Sequence, residues 1–144
     1  MKKLLFSAAG AAVPTPQNLS YKKLISSDEA SGDYFGYDVA LSADGNYLAV
    51  GAYTDDNSNG TNAGSVYIFT RNGSTWAEQI RLQSADAVAQ FFGTAVALDS
   101  TGTYLVVGAP APGNGAAYVF VRSGSTWTQQ AKLVASDGAA SDQF

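Results

Sequence analysis

Apolar and polar positions in this chain alternate in short bursts. In Ser65–Arg71 (SVYIFTR), Val66, Ile68 and Thr70 fall on one face and Tyr67 and Phe69 on the other, the period of two that marks a strand. Tyr47–Tyr53 opens with YLAVGA and Tyr104–Ala109 reads YLVVGA. Both are nearly continuous apolar runs, as expected of a strand covered on both faces. Further strand-like stretches are Tyr37–Ser42, Trp76–Ser84, Thr94–Asp99, Ala116–Arg122 and Trp127–Ala135. Asp44-Gly45, Asn72-Gly73, Thr101-Gly102 and Ser123-Gly124 separate them, dipeptides that suit tight hairpins because glycine accepts a positive φ. No stretch of twelve or more residues carries a helical period. The pattern predicts an all-β protein.

The pattern also repeats. Phe35-Gly36 returns as Phe92-Gly93, and Gly51-Ala52 as Gly108-Ala109, both 57 residues on. Ala63–Trp76 (AGSVYIFTRNGSTW) returns as Asn114–Trp127 (NGAAYVFVRSGSTW) only 51 residues on, so one loop is six residues shorter in the second copy. Arg81-Leu82 returns as Lys132-Leu133, and Lys23-Leu24 fits the same slot one repeat earlier. Phe144 falls where Phe35 and Phe92 fall. The expected organisation is a leader over 1–19, the last strand of a preceding blade with its connection over 20–34, one repeat over 35–91, a second over 92–141, and the start of a third over 142–144. Four antiparallel strands per unit of about 50 residues is the pattern of a propeller blade. A blade cannot bury both of its faces alone. A chain with two blades and a leading strand is therefore expected to be a piece of a longer array, and to self-associate or fold only marginally by itself.

The copies YFGYDVALSADGNYLAVGAY and FFGTAVALDSTGTYLVVGAP resemble the FG-GAP repeats of integrin alpha-subunit β-propellers, and more closely the integrin-like repeats of bacterial and phage surface proteins. The resemblance covers about residues 20–144 and implies an incomplete β-propeller, part of a ring that usually has seven blades. It implies structural work for Phe35, Gly36, Gly51, Ala52, Trp76, Phe92, Gly93, Gly108, Ala109 and Trp127. Many members of that family carry a calcium loop of the form D-x-D-x-D-G-x-x-D in the first hairpin. Here the equivalent loops, Ala40–Leu48 and Ala97–Leu105, keep one acid each, Asp44 and Asp99. Calcium needs six to eight oxygens, several from carboxylates, so plain hairpins are expected at both places. Asp55, Asn57 and Asn59 open a D-x-N-x-N-G run, but Val66 stands where the bidentate glutamate belongs. They are weak metal candidates, and no cofactor is expected.

Composition narrows the chemistry. The chain has no histidine and no cysteine, which removes the usual general base, the nucleophilic triads and nearly every zinc site. Its net charge is -4, and residues 1–19 hold two lysines and no acid, so the rest is more acidic still and ill suited to nucleic acid. The basic, apolar start resembles a secretory signal with a poor cleavage site, and is too short to span a bilayer. Asp28, Glu29 and Asp33 lie in DEASGD, which reads as a solvated connection rather than a catalytic pair. Asn18, Asn59 and Asn72 match the glycosylation triplet, two of them at turns. The expected function is a noncatalytic binding or adhesion module, extracellular or on a cell or virion surface, that presents loops to a protein or glycan. The candidate loop residues are Tyr53, Asp55, Asp56, Asn57, Asn59, Asn62 and Asn114, with the connections Ser27–Tyr34 and Ser84–Gln90 beside them. A structural subunit of a surface layer, fibre or virion appendage is the alternative, and a calcium-dependent adhesin a second.

Overall fold

The computed structural model describes residues 22–86, 91–110 and 115–138. The leader over 1–19, Asn114 and the start of a third repeat over 142–144 lie outside them. The described chain forms two antiparallel sheets of four strands each, with no helix. The first runs β1 (Val39–Leu41), β2 (Tyr47–Ala52), β3 (Ser65–Asn72), β4 (Thr75–Leu82), paired in chain order. The second repeats it as β5 (Ala95–Leu98), β6 (Tyr104–Ala109), β7 (Ala116–Ser123), β8 (Thr126–Leu133). Register repeats too: Gly51 faces Val66 as Gly108 faces Ala117, and both outer pairs carry a bulge, between Ile68 and Phe69 and between Val119 and Phe120.

Period-two alternation sorts each sheet into two faces, and both faces of the first are buried. Ala49, Val66, Ile68 and Leu82 pack against Phe92, Leu105, Val107, Tyr118, Phe120 and Trp127 of the second sheet, forming the main core. Val50, Ala52, Tyr67 and Phe69 form a second cluster on the opposite face, closed by Leu24, Phe35, Leu48 and Trp76. Phe35 and Phe92 hold equivalent posts, each edge-on to the tyrosine and phenylalanine of its own third strand, with centroids 5.4–6.1 Å apart. The second sheet turns its other face outward, and β6 is accordingly only half buried.

The sheets approach so closely at Gly51 that a Cβ there would lie 2.0 Å from the Gly93 carbonyl oxygen. Cross-sheet bonds tie the contact at both ends. Phe92 donates its N–H to the Ala63 carbonyl, Val96 its N–H to Asp38, and Trp127 its indole N–H to Gln79. The Arg122 guanidinium lies 4.0 Å from the centre of the Tyr47 ring.

Two expectations are corrected. Residues 22–34 contain no strand: Leu24 reaches the first sheet with its side chain, but no strand among the described residues pairs with them. The innermost strands are also shorter than expected. Gly36 and Tyr37 both donate to the Gly51 carbonyl, which closes the turn holding Phe35 instead of extending β1.

Candidate functional site

Both first hairpins are tight turns whose single acid is saturated locally. Asp44 accepts from the Ser42 hydroxyl and from Asn46, and Asp99 from Thr101 and from the N–H groups of Thr103 and Tyr104. The two turns are built with acid and hydroxyl exchanged, since Ser42 corresponds to Asp99 and Asp44 to Thr101. The Ser42 hydroxyl is the main cause that holds Asp44 below its ordinary value, and the Tyr104 N–H does the same for Asp99. Depressed carboxylates contribute stability that is present above the unfolded value of 3.8 and lost as pH falls through the folded one. Acid titration followed by circular dichroism should therefore show stability falling below about pH 4, with a shallower fall in an Asp44→Asn, Asp99→Asn double variant.

The loop between β2 and β3 turns Asp55, Asn57 and Asn59 inward and leaves Asp56, Ser58, Thr61 and Asn62 exposed. Asp55 is buried, takes hydrogen bonds from the hydroxyls of Ser65 (2.5 Å) and Tyr67 (3.2 Å), and pairs with Arg81 at 3.0 Å. Burial pushes its carboxyl above the ordinary value, against the Ser65 hydrogen bond and the Arg81 charge. Asn57 donates to the Gly64 carbonyl and accepts from the Asn59 N–H, while Asn59 donates to the Ser84 carbonyl. Asp56 accepts from the N–H of Asn62, which has a left-handed φ of 53°. Arg81 of β4 thus already neutralises the acid that a metal at Asp55, Asn57 and Asn59 would use. Among the described residues, no three acidic side chains converge as a metal cage would need.

The connection read from sequence as solvated is a docked latch. Asp28 accepts from the Tyr67 hydroxyl and pairs with Arg81, and the neighbouring Ser27 donates its N–H to Glu78. The second sheet holds the same latch: Asp86 accepts from Tyr118 and pairs with Lys132, and Ala85 donates its N–H to Gln129. Burial alone would raise Asp86, but the Lys132 and Tyr118 hydrogen bonds and the Lys132 charge bring it below the ordinary value. Sequence reasoning missed these acids. The available signal was a third recurrence, Ser26-Ser27-Asp28, Ser84-Ala85-Asp86 and Ala135-Ser136-Asp137, in step with the Lys/Arg-Leu pairs.

The same loop end carries an aromatic cluster. Tyr53 follows β2, and its ring centre lies 5.3 Å from Tyr34, 4.4 Å from Tyr37 and 5.9 Å from Phe91. Tyr34 is 60% exposed and Tyr37 56%. Tyr34 and Phe91 share a left-handed φ, 53° and 59°, set by equivalent turns in which their carbonyls accept from Tyr37 and Thr94. Of the residues expected to bind, the cluster contains Tyr53 and also Tyr34, the last residue of the connection Ser27–Tyr34, whereas Tyr37 stands where a strand is expected to open.

The FG-GAP repeat model matches residues 20–69, 76–120 and 127–144, most of the chain, in three runs. This chain belongs to the FG-GAP repeat family. Its two sheets are two blades of a β-propeller. No curated protein matches the chain. The matched FG-GAP units are offset from the blades by one strand. The second match begins at β4, crosses the connection holding Asp86, and ends in β7. That match therefore spans the boundary between the two blades and includes the latch that closes it.

Proposed function

We propose that this FG-GAP protein is a noncatalytic extracellular binding module that presents the loop end of its blades to a protein or glycan. The aromatic cluster carries this reading. Exposed rings that touch one another offer a broad contact surface at low entropic cost, since tyrosine has few rotatable bonds. The repeat supplies an internal control. Tyr37 corresponds to Thr94 and Tyr53 to Pro110, while the strands beneath keep the same pattern. A blade thus folds without those tyrosines, which leaves recognition as a reason for them. FG-GAP repeats are typically extracellular, and no helix among the described residues is long and apolar enough to cross a membrane.

The test compares the wild-type chain with a Tyr34→Asn, Tyr37→Thr variant on arrays of polysaccharides and surface proteins. The wild type should bind at least one array member, and the variant at least tenfold less, with thermal midpoints within a few degrees. Equal binding by both would remove the cluster from the site. The alternative role, a structural subunit of a surface layer, fibre or virion appendage, draws on a different feature: Tyr104, Val106 and Leu133 are exposed on the outward face of the second blade.

A further inference from the structure

We infer that this chain associates head to tail with a second copy of itself by exchanging latches, the segment 133–137 of one copy replacing 24–28 on the first blade of the next. The inference does not rest on the loop-binding reading above.

The observed contact between the blades is the template, and each chain carries both of its halves a second time. The accepting half is the β2 and β3 face, where Gly51 admits the Gly93 backbone and Ala49, Val66 and Leu82 are buried. On the second blade the corresponding residues are Gly108, Val106, Ala117 and Leu133. There Val106 is 39% and Leu133 47% exposed, where Ala49 and Leu82 are 0% and 5%. A shallow apolar hollow runs over Ala95, Ala97, Val106, Gly108 and Ala117. The entering half is Phe92 and Gly93 with Tyr118 and Phe120, and its first-blade equivalent is Phe35 and Gly36 with Tyr67 and Phe69.

The latch sequence occurs three times and is docked twice. Leu24 and Asp28 sit on the first blade as Leu82 and Asp86 sit on the second, down to the N–H bonds from Ser27 to Glu78 and from Ala85 to Gln129. The third latch, Leu133 to Asp137, docks on nothing among the described residues, and Val134 is 55% exposed. A first blade of another copy offers it the matching partners, Tyr67, Arg81 and Glu78. Those are held by that copy's own residues 24–28, so docking requires exchange. Swapping one latch for another of the same pattern is close to neutral, and covering Tyr104, Val106 and Leu133 then favours the assembled form. The contact joins unlike surfaces, so it propagates into a ring or a filament according to whether the rotation closes.

Light scattering on the 144-residue chain over a concentration series tests this. The mass should rise with concentration. Leu133→Asp and Gly108→Val should each hold the chain at monomer mass with an unchanged far-ultraviolet spectrum. Leu133 is exposed in the single chain, and the Gly108 backbone has no positive φ, its nearest neighbour to a Cβ being Ala95 Cβ at 3.3 Å. Mixing a Glu78→Cys chain with a Ser136→Cys chain under oxidation should join unlike chains, since the protein has no cysteine of its own. A monomer at every soluble concentration leaves the face to a further repeat or another partner and overturns the inference. Association that ignores both substitutions, or that joins only like variants, overturns it as well.

Discussion

Gly51→Ala should destabilise this protein by about 3 kcal/mol, the upper end of what overpacking usually costs, whereas Gly108→Ala should change it by about 0.5 kcal/mol or less. The two glycines are equivalent in sequence and in register. They differ in what stands opposite. A methyl group at Gly51 meets the Gly93 carbonyl oxygen at 2.0 Å and the Gly93 carbonyl carbon at 3.1 Å, and backbone held in a turn cannot step aside as a side chain would. At Gly108 the nearest atom is Ala95 Cβ at 3.3 Å, which can yield by a few tenths of an ångström. Neither glycine has a positive φ, so the contrast isolates packing from backbone conformation. Denaturant unfolding followed by Trp76 and Trp127 fluorescence, at a dilution where the chain is monomeric, measures both. Equal losses would mean that contact between the blades is not what demands glycine at this position.

Asp55→Ala should cost about 3 kcal/mol, the low end for breaking a buried ion pair, because Arg81 keeps Asp28 as a second partner. The substitution leaves the inward-facing Ser65 hydroxyl without its acceptor and detaches the β2–β3 loop from the blade. Asp55→Asn should cost less, about 1–2 kcal/mol, since one amide oxygen can still accept. The pH dependence separates charge from shape. The folded state holds the Asp55 proton more tightly than the unfolded chain, so this group adds stability as pH falls through its raised value towards 3.8. The gap between wild type and Asp55→Asn should therefore widen on acidification over that window. A constant gap in urea unfolding at pH 7 and pH 4.5 would count against the burial of this carboxylate.

The strand plan was legible because both faces of a blade are apolar and the turns between strands use glycine. Tyr104–Ala109 forms a strand over its expected span, and the other strands differ by one to three residues at their ends. Those ends depend on backbone bonds that side-chain patterns do not reveal, as where the Gly51 carbonyl accepts from Gly36 and Tyr37 and shortens β1. Sequence misjudged residues 22–34 for a different reason. Lys23-Leu24 matches an outer strand, but strand formation needs a neighbour to pair with, and a lone segment has only its side chains to offer. Asp28 looked solvated because its partners, Tyr67 and Arg81, are 39 and 53 residues away. The tyrosine cluster was half legible, because Tyr53 lay in a loop that differs between copies and Tyr34 and Tyr37 flanked the repeated Phe-Gly.

The bulge after Ile68 makes the fourth strand serve two neighbours. Trp76, Ile80 and Leu82 are all even-numbered and would share one side of a regular ribbon. The extra residue, Gln79, reverses the alternation, so the tryptophan goes to one side and the aliphatics to the other. The second copy repeats the device, and Gln79 itself holds the indole of Trp127. Insertions and deletions are thus unequally tolerated. Losing six residues between the second and third strands only trims a loop, as the second copy demonstrates, whereas losing one residue here would send Trp76 to the wrong wedge.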